Sequence, residues 1–420
     1  MQIVCESFDE RSVDVVVVGG GTAGVFAAIS AARLGASVLL VEKNAMLGGT
    51  VTAGGVNFPG LFFAWGKQII SGPCWEAIER TVRLGGATLP EISYRPERHW
   101  HEQILVNRFV YTAVLCEMCA EAGVEVLCNA MLTSVTECEN SVSLAVTCKE
   151  GVLSVFAKTA IDATGDANLA QMAGLETVKS PVQQPATLQN HLAGYTLTEE
   201  IEKRIEERFD RQSFPDYVSA RKLIGFLRKR KIDLHVPCRD AETSVGRTAL
   251  DFRALADVMG IYRFYRSVEG LESLELDWIA AESGVRETVR IVGRHAVTAE
   301  EYINGTSYPD SVCYAFYPID LHVMDGIKQT YHADGVVAKL PFSALVPQRS
   351  GRILVAGRCL SSDTDANSAL RVEAVCMATG QVVGCAAALA AGRNEKAAFV
   401  PHGVLCDALR SIGAIVPSES

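Results

Sequence analysis

Several features that would direct a chain to nucleic acid, membranes or secretion are missing from this sequence. A net charge of −10 leaves no basic excess, which argues against wholesale nucleic-acid binding. No run of 18 or more uncharged apolar residues predicts a membrane span, and residues 1–14 lack the apolar centre of a signal peptide. The thirteen cysteines are scattered along the chain, as expected in a reducing compartment. We therefore expect a cytoplasmic protein that binds neither nucleic acid nor membrane.

Metal or disulfide chemistry has little support either. Cys116 and Cys119 form a C-x-x-C pair, but no second pair completes a zinc or iron–sulfur site. Their apolar neighbours favour two buried thiols on a helix that we predict over residues 102–122. We predict no metal site. The overall composition, 49% hydrophobic and 21% charged over 420 residues, is that of a globular enzyme with two or three domains.

The strongest signal is a glycine-rich turn near the start of the chain. Residues 15–18 are a β-branched run typical of a buried strand, and Gly19, Gly21 and Gly24 follow as G-x-G-x-x-G. A small-residue helix over residues 23–34 and a second strand come next, and that strand ends on Glu42. This order predicts a dinucleotide site but does not distinguish NAD from FAD.

Each of these positions has a physical role in such a site. Gly19 permits the tight turn out of the strand, and Gly24 permits close helix–strand packing. Gly21 lets the backbone approach a pyrophosphate at the positive end of the helix. Glu42 is placed to accept hydrogen bonds from a ribose diol.

Two later segments return to the nucleotide site. Residues 160–167 are a short apolar strand that runs into Thr164, Gly165 and Asp166 before a helix starts. Residues 351–358 form a second short strand, followed by a polar loop and a small-residue helix over residues 369–391. An NAD-only Rossmann domain does not need these returns, so they favour FAD.

The segment between these returns has a different character. Charge runs and irregular spacing predict an inserted domain over residues 176–338, between a first part at residues 1–175 and a last part at residues 339–420. The basic run at residues 228–231 indicates a solvated helix face more than a nucleic-acid patch. The aromatic loop at residues 52–72 is equally compatible with a wall beside a flat ring and with ordinary packing.

Candidate catalytic residues lie in the inserted segment. His322, Arg286 and Arg290 are candidates for proton transfer and anion binding, with His101 a weaker one. Arg286, Arg290 and Arg294 recur every four residues, which predicts one shared helix face if the segment is helical.

Taken together, these motifs match the pattern of a known family. The sequence resembles the FAD-dependent oxidoreductases of the glutathione-reductase-like superfamily, and it is distantly similar to fumarate-reductase-type flavoproteins. The resemblance implies an α/β fold, with a Rossmann-type FAD-binding domain (three layers, parallel sheet) and an inserted α+β substrate or cap domain. It rests on V-V-G-G-G-T-A-G, V-E-K, L-G-G-T, I-D-A-T-G-D-A, R-E-T-V-R-I-V-G, Y-P-I-D-L-H, and I-L-V-A-G-R-C-L with the following A-L-R-V-E-A-V-C-M-A-T-G-Q.

The resemblance also implies which residues contact FAD. The pyrophosphate would be held by Gly19, Gly21, Thr22, Ala23 and Gly24. The adenosine end and the middle of the cofactor would be contacted by Glu42, Lys43, Gly49, Thr50, Met131, Thr164, Gly165 and Asp166. The residues near the flavin would be Gly357, Arg358, Ala369 and Arg371.

The function implied is a two-electron oxidation or reduction of a small organic substrate at the flavin N5. Two alternatives stay open: a non-catalytic flavin-binding or electron-relay subunit, and an NAD-dependent dehydrogenase. A second G-x-G-x-x-G and a redox C-x-x-C after the first motif are both missing, which argues against disulfide reductase chemistry. A separate electron donor or acceptor and a homo-oligomer are compatible with the sequence.

Overall fold

A computed structural model describes residues 7–92, 102–324 and 326–418 of the chain. His101 lies outside the described residues. The helices are α1 Thr22–Arg33, α2 Pro73–Arg83, α3 Arg108–Ala122, α4 Asn168–Met172, α5 Glu199–Arg208, α6 Ala220–Arg228, α7 Ser244–Arg266, α8 Ala299–Asn304, α9 Thr364–Leu370, α10 Glu373–Arg393 and α11 His402–Ser411.

The strands are short, apart from two of twelve residues that form the centre of the main sheet. They are β1 Ser7–Val18, β2 Val38–Glu42, β3 Phe63–Ala64, β4 Lys67–Gln68, β5 Glu125–Cys128, β6 Met131–Glu137, β7 Val142–Cys148, β8 Gly151–Asp162, β9 Thr177–Lys179, β10 Asn190–Ala193, β11 Glu275–Ile279, β12 Val289–Ile291, β13 Ser311–Ala315, β14 Ile319–Val323, β15 Gly326–Thr330, β16 Ala338–Pro341 and β17 Ile353–Val355.

A parallel sheet in the order β5-β2-β1-β8-β17 forms the centre of the molecule. β8 pairs with β1 along its whole length, and its other edge is shared. The first part of that edge pairs antiparallel with β7, while its end pairs parallel with β17. The carboxyl ends of β1, β8 and β17 therefore lie side by side, which is where ligands bind in open parallel sheets.

The sheet is the middle of three layers, because its strands are apolar on both faces and one further layer covers each face. Val15 and Val17 belong to the core that the helices cover, including Phe26 of α1. Val16 and Val18 belong to a second core with Leu144 of the β6–β7 meander. The predicted α/β class, with a parallel Rossmann-type sheet and an additional unit, is confirmed.

The two central helices, α1 and α10, pack at very short range. A Cβ atom on Gly380 would lie 2.1 Å from the Ala23 carbonyl oxygen, and one on Gly384 would lie 2.2 Å from that of Ala27. Only glycine fits at such positions. α10 has the length and hydropathy of a membrane span, but 94% of its most apolar window is buried inside the protein.

Residues 186–285 contribute a separate hydrophobic cluster. It is built around α5, α6 and α7, with Ile205, Leu223 and Ile261 fully buried. Further along the chain, Tyr302 and Val312 pack into the core of the main sheet instead. The boundaries predicted for the inserted domain, after residue 175 and at residue 338, stay a prediction.

Three predicted helical features are wrong in detail. α3 begins at Arg108 and not at residue 102, because the Asn107 side chain caps it by accepting from the amides of Phe109 and Val110. The helix predicted over residues 369–391 is two helices. The break falls at Val372, whose extended backbone separates α9 from α10.

The arginines at positions 286, 290 and 294 do not share a helix face. Residues 289–291 form strand β12, which pairs antiparallel with β9, since alternating β-branched residues favour a strand. Cys119 is buried as predicted, but Cys116 is exposed, because it lies on the solvent side of α3.

Candidate functional site

The glycine turn after β1 is as tight as the sequence predicted. Gly19 has a φ of +106°, and a Cβ atom there would lie 2.3 Å from the Ala163 carbonyl oxygen at the end of β8. A Cβ atom on Gly24 would lie 1.7 Å from the Gly19 carbonyl oxygen. These two glycines therefore let α1 start directly against the ends of both strands.

Gly21 differs from its neighbours because space lies in front of it. Its backbone is extended, with φ −68° and ψ −177°, and the atom nearest to a Cβ there would be the Gly49 Cα at 3.8 Å. No side chain caps the start of α1. The Gly48 amide donates to the Gly20 carbonyl at 2.8 Å, which brings Gly49 and Thr50 beside the turn. Open space at an uncapped helix start fits a pyrophosphate.

Glu42 is buried at the carboxyl end of β2, beside this turn. Its two carboxylate oxygens accept from the amides of Gly20 at 2.6 Å and Asn44 at 2.7 Å. Burial raises its pKa, against those hydrogen bonds. Lys43 is paired with Glu282, with 2.8 Å between Nζ and the carboxylate oxygen. Met131, at the start of β6, is 56% exposed.

The Thr-Gly-Asp loop after β8 is fixed by a residue that the sequence analysis did not single out. The fully buried Asp162 carboxylate accepts from the Thr164 amide at 3.0 Å, the Thr164 hydroxyl at 2.7 Å and the Ala170 amide at 2.9 Å. These bonds hold the backbone of Gly165 and Asp166 at the sheet edge, beside the end of β17.

Arg358 ties this loop to the inserted segment. Its Nε donates to the Gly165 carbonyl at 2.7 Å, its Nη2 pairs with Asp166 and its Nη1 donates to the Val285 carbonyl. The guanidinium is therefore occupied by the protein on three sides. Gly357, with a φ of +82°, lies in contact range of Ala23 on α1.

The arginine at the end of α9 is left with few partners. Ala369 is fully buried, and Arg371 ends the helix. Its Nη2 has one long hydrogen bond, 3.4 Å to the Asp320 carbonyl oxygen, and its buried Nε has no partner among the described residues. Burial lowers its pKa. A guanidinium with free donors at a helix break is available to bind a ligand.

His322 lies close to Arg371 in a hydrogen-bonded group. Its Nε2 is 3.0 Å from an Asp320 carboxylate oxygen, and its Nδ1 is 3.1 Å from Nε2 of His235. Burial lowers the pKa of His322 to about 4; Asp320 opposes this effect, while Arg286 and Arg371 add to it. The imidazole is therefore neutral at pH 7.

Arg286 reaches the same group from the inserted segment. Its Nη1 donates to the Pro185 carbonyl at 2.6 Å and to the Thr187 hydroxyl at 3.2 Å. Burial, and then the positive charge of Arg371, lowers its pKa to about 10. Gln184, whose Oε1 accepts from the His322 amide at 3.1 Å, has a buried Nε2 with no partner in the part of the chain that the structure describes. Among the described residues, two buried donors without a partner, on Arg371 and Gln184, thus lie near His322, and the charge of Arg286 also acts on its ring.

Arg290 is not part of this group. Its Nε donates to the Ser362 carbonyl at 3.0 Å, its Nη1 pairs with Glu287 at 2.7 Å and its Nη2 donates to the Ser180 hydroxyl at 3.1 Å. All three nitrogens have protein partners and the residue is buried. These contacts give no support to its predicted role in anion binding.

Other polar residues in and near this group were not among the predicted site residues. Asp320 stands two positions before His322 on β14, so strand alternation predicts that both side chains share a face. His235 and Gln184 carried no local signal. Glu373, the first residue of α10, accepts a hydrogen bond from the Thr22 hydroxyl, and burial raises its pKa to about 7.

The aromatic loop is packed into protein. The Trp65 ring lies 5.5 Å from that of Phe316, and its indole donates to the Val336 carbonyl at 2.8 Å. Phe62 is buried and lies 5.3 Å from Trp75. These contacts favour ordinary packing over a wall beside a ligand.

The lowered pKa of His322 has a consequence for stability. Because the folded protein disfavours the charged imidazole, its contribution to stability is complete above pH 6.5 and is lost as the pH falls to about 4. The gap corresponds to about 3 kcal/mol. We expect the unfolding free energy of His322→Gln, from urea titrations, to fall less between pH 7 and pH 4 than that of the unaltered protein. An equal fall in the two proteins would contradict the assignment.

Comparison with known proteins gives matches over nearly the whole chain, from a family model and from solved structures, and partial matches to curated relatives. A family model described as FAD dependent oxidoreductase matches residues 14–410. Digeranylgeranylglycerophospholipid reductase 2 of Methanothermobacter thermautotrophicus is 32% identical over 183 residues, which are 43% of this chain and 47% of the reductase. Fumarate reductase (cytochrome) of Shewanella frigidimarina is 50% identical over 58 residues, which are 13% of this chain and 10% of that protein.

The chain thus spans less than half the length of these curated relatives. Among solved structures, a geranylgeranyl bacteriochlorophyll reductase-like protein from Thermoplasma acidophilum is 14% identical, with a TM-score of 0.44. That match covers 96% of this chain and 83% of the other.

Proposed function

This chain belongs to the family of FAD-dependent oxidoreductases, and on that premise we propose that it oxidises or reduces a small organic anion by two electrons. The observation that carries the proposal is the charge and donor set around His322: both Arg286 and Arg371 act on its ring, and Arg371 Nε and Gln184 Nε2 are buried donors with no partner among the described residues. FAD as cofactor and an enzyme of this class, both predicted from the motifs, are confirmed. The alternative function, an NAD-dependent dehydrogenase, is not proposed, because the family uses FAD.

The anionic character of the substrate follows from electrostatics. Arg286 and Arg371 influence each other's charge, and burial disfavours both guanidinium cations. Two cations at partly buried positions are costly unless an anion compensates them. Asp233 and Asp320 supply part of that compensation beside Arg286. The Asp320 carboxylate is already hydrogen-bonded to His322 and Gln329. A carboxylate is a suitable ligand, since its two oxygens match the donors of a guanidinium.

FAD fits the residues at the sheet edge. The room in front of Gly21 and the uncapped start of α1 would hold its pyrophosphate, and Glu42 would hold its ribose. When bound, FAD supplies the group that accepts or donates the two electrons. Arg371 places positive charge beside the proposed substrate position, where it would stabilise developing negative charge.

The chain's own residues orient the substrate and restrict its movement. Arg286 would bind the anion from the inserted segment, and Arg371 would bind it from the helix break. Gln184, held by the His322 amide, would add a neutral donor. The names of the reductases that are similar to this chain indicate a long-chain lipid substrate for those proteins, whereas buried unpaired donors favour a compact polar one here.

The test is direct. Purified protein should carry FAD and show flavin absorbance, and anaerobic addition of one member of a panel of small carboxylic acids should change the redox state of that flavin. Arg286→Met should keep the flavin but lower kcat/KM for that acid about a hundredfold, because loss of a buried charged partner costs about 3 kcal/mol.

Arg349→Met provides the matched control, since Arg349 is exposed and should leave kcat/KM unchanged. Flavin that responds only to a protein partner would identify an electron-relay subunit and contradict the proposal. An equal response to neutral and anionic substrates would contradict the anion-binding part.

A further inference from the structure

Two histidines and an aspartate near the proposed substrate position form a linear chain of contacts. His235 Nδ1 lies 3.1 Å from the Val323 carbonyl oxygen, and His235 Nε2 lies 3.1 Å from His322 Nδ1. His322 Nε2 then lies 3.0 Å from an Asp320 carboxylate oxygen. We call His235, His322 and Asp320 the histidine chain.

The geometry of the histidine chain sets the number of hydrogens that are needed to make every contact a hydrogen bond. The Val323 carbonyl can only accept, and an ionised carboxylate can only accept, so three contacts require three hydrogens. Two neutral imidazoles carry only two. One contact must then bring two lone pairs together, most simply at Val323 or between the two rings. A single added proton makes all three contacts hydrogen bonds.

Nearby charges oppose that added proton. Arg286 disfavours it on both rings, Arg371 disfavours it on His322 and Lys222 of α6 disfavours it on His235. Asp320 on β14 and Asp233 in the segment after α6 favour it. Gln329 of β15 is neutral and binds the other oxygen of Asp320. Burial adds to the opposition, so the chain is one proton short at neutral pH.

A bound anion would change this balance. If the substrate anion pairs with Arg286 and Arg371, two of the three opposing cations are neutralised while Asp320 and Asp233 stay in place. We propose that the histidine chain is a single proton-binding unit that takes up one proton from solvent when an anion binds to Arg286 and Arg371. The identification of that anion as the substrate rests on the proposed function, but the linkage between the arginines and the histidine chain does not.

Such a unit brings a proton to the site together with the substrate. The uptake is balanced by one proton lost from solvent, and dissociation of the anion returns it. His235 and Asp320 would act through His322, which makes them positioning residues. Anion affinity would rise as the pH falls, because proton uptake and anion binding favour each other.

The test uses the FAD-loaded protein with ¹⁵N-labelled histidine, and follows the ring signals by NMR as the pH is lowered. We expect His235 and His322 to change together at one midpoint below 6.5. Arg286→Gln removes a cation as the anion would neutralise it, and should raise that midpoint by about one to three pH units. Arg349→Gln, with the same loss of charge at an exposed position, should leave it in place.

Two further variants keep the result decisive if Arg286→Gln fails to fold. Arg371→Gln removes a cation with almost no hydrogen bonds and should also raise the midpoint. Asp320→Asn should lower it, because the amide itself donates the third hydrogen and removes the negative charge. His402, bonded to the Ser311 carbonyl, should not respond in any variant.

Separate midpoints for the two rings, or no upward change in either arginine variant, would overturn the proposal. These readouts do not depend on turnover. If the two rings share one midpoint that the arginine variants raise, but the protein turns over no small anion, the linkage stands and the proposed function is contradicted. If the protein turns over a small anion but the midpoint does not change in the arginine variants, the proposed function stands and the linkage is contradicted.

Discussion

Gly21→Val should give a folded protein that contains no FAD. The backbone at Gly21 has φ −68°, which any residue adopts, and a Cβ there meets no atom closer than 3.8 Å. The valine would instead fill the room for the pyrophosphate. Overpacking costs about 1–3 kcal/mol and each lost hydrogen bond to a charged group about 1.5–3 kcal/mol, so FAD affinity should fall roughly a thousandfold.

The measurement is the flavin content of purified protein, read from its absorbance and compared with its thermal unfolding. Gly403→Val is the matched control, because a Cβ on Gly403 of α11 meets nothing within 4 Å. That variant should keep both flavin and fold. A Gly21→Val protein that stays yellow would show that the pyrophosphate lies elsewhere, whereas loss of fold in apo-protein would show that the space is not free.

Gly380→Val should prevent stable folding. The added Cβ would lie 2.1 Å from the Ala23 carbonyl oxygen, a backbone atom inside α1 that no rotamer change can move. α1 and α10 would have to separate, which exposes the apolar core between them. We expect a loss of about 4 kcal/mol or more, because backbone clashes in a close-packed core lie at the extreme of single-substitution effects.

Gly392→Val tests the same change on the same helix. Gly392 lies near the end of α10, where a Cβ meets nothing within 4 Å, so this variant should unfold within about 1 kcal/mol of the parent. Urea unfolding of both variants decides the matter. Equal stabilities would mean that the helices do not approach as closely as the contact with Ala23 requires.

The nucleotide half of the site could be predicted from the sequence because its signals are local. The strand, the glycine turn, the helix start and the acid at Glu42 lie within thirty residues, and each has a conformational requirement that few residue types meet. The same holds for residues 160–167, where the strand end and the Thr-Gly-Asp turn are contiguous. Short-range geometry was therefore enough to predict the fold class and a dinucleotide site at this sheet edge, whereas the choice of FAD over NAD needed the later segments and the resemblance to a family.

The proposed substrate half of the site could not be predicted in the same way. Arg286 and Arg290 look equivalent in the sequence, yet the charge of Arg286 acts on His322, while Arg290 is bonded to Glu287, Ser180 and the Ser362 carbonyl. Their fates depend on which partners the inserted segment brings to them. The break at Val372, which leaves Arg371 at a helix end, likewise has no proline or glycine to announce it.

The sequence alone determined that the chain forms a parallel sheet with a dinucleotide turn, because those features depend on neighbours along the chain. Only the tertiary structure decided that His235 meets His322 across 87 positions, and that Asp320 completes their contacts. Proton count, charge balance and unpaired donors are properties of that assembly. They arise when distant segments are buried together, since burial turns the number of available hydrogens and compensating charges into a constraint.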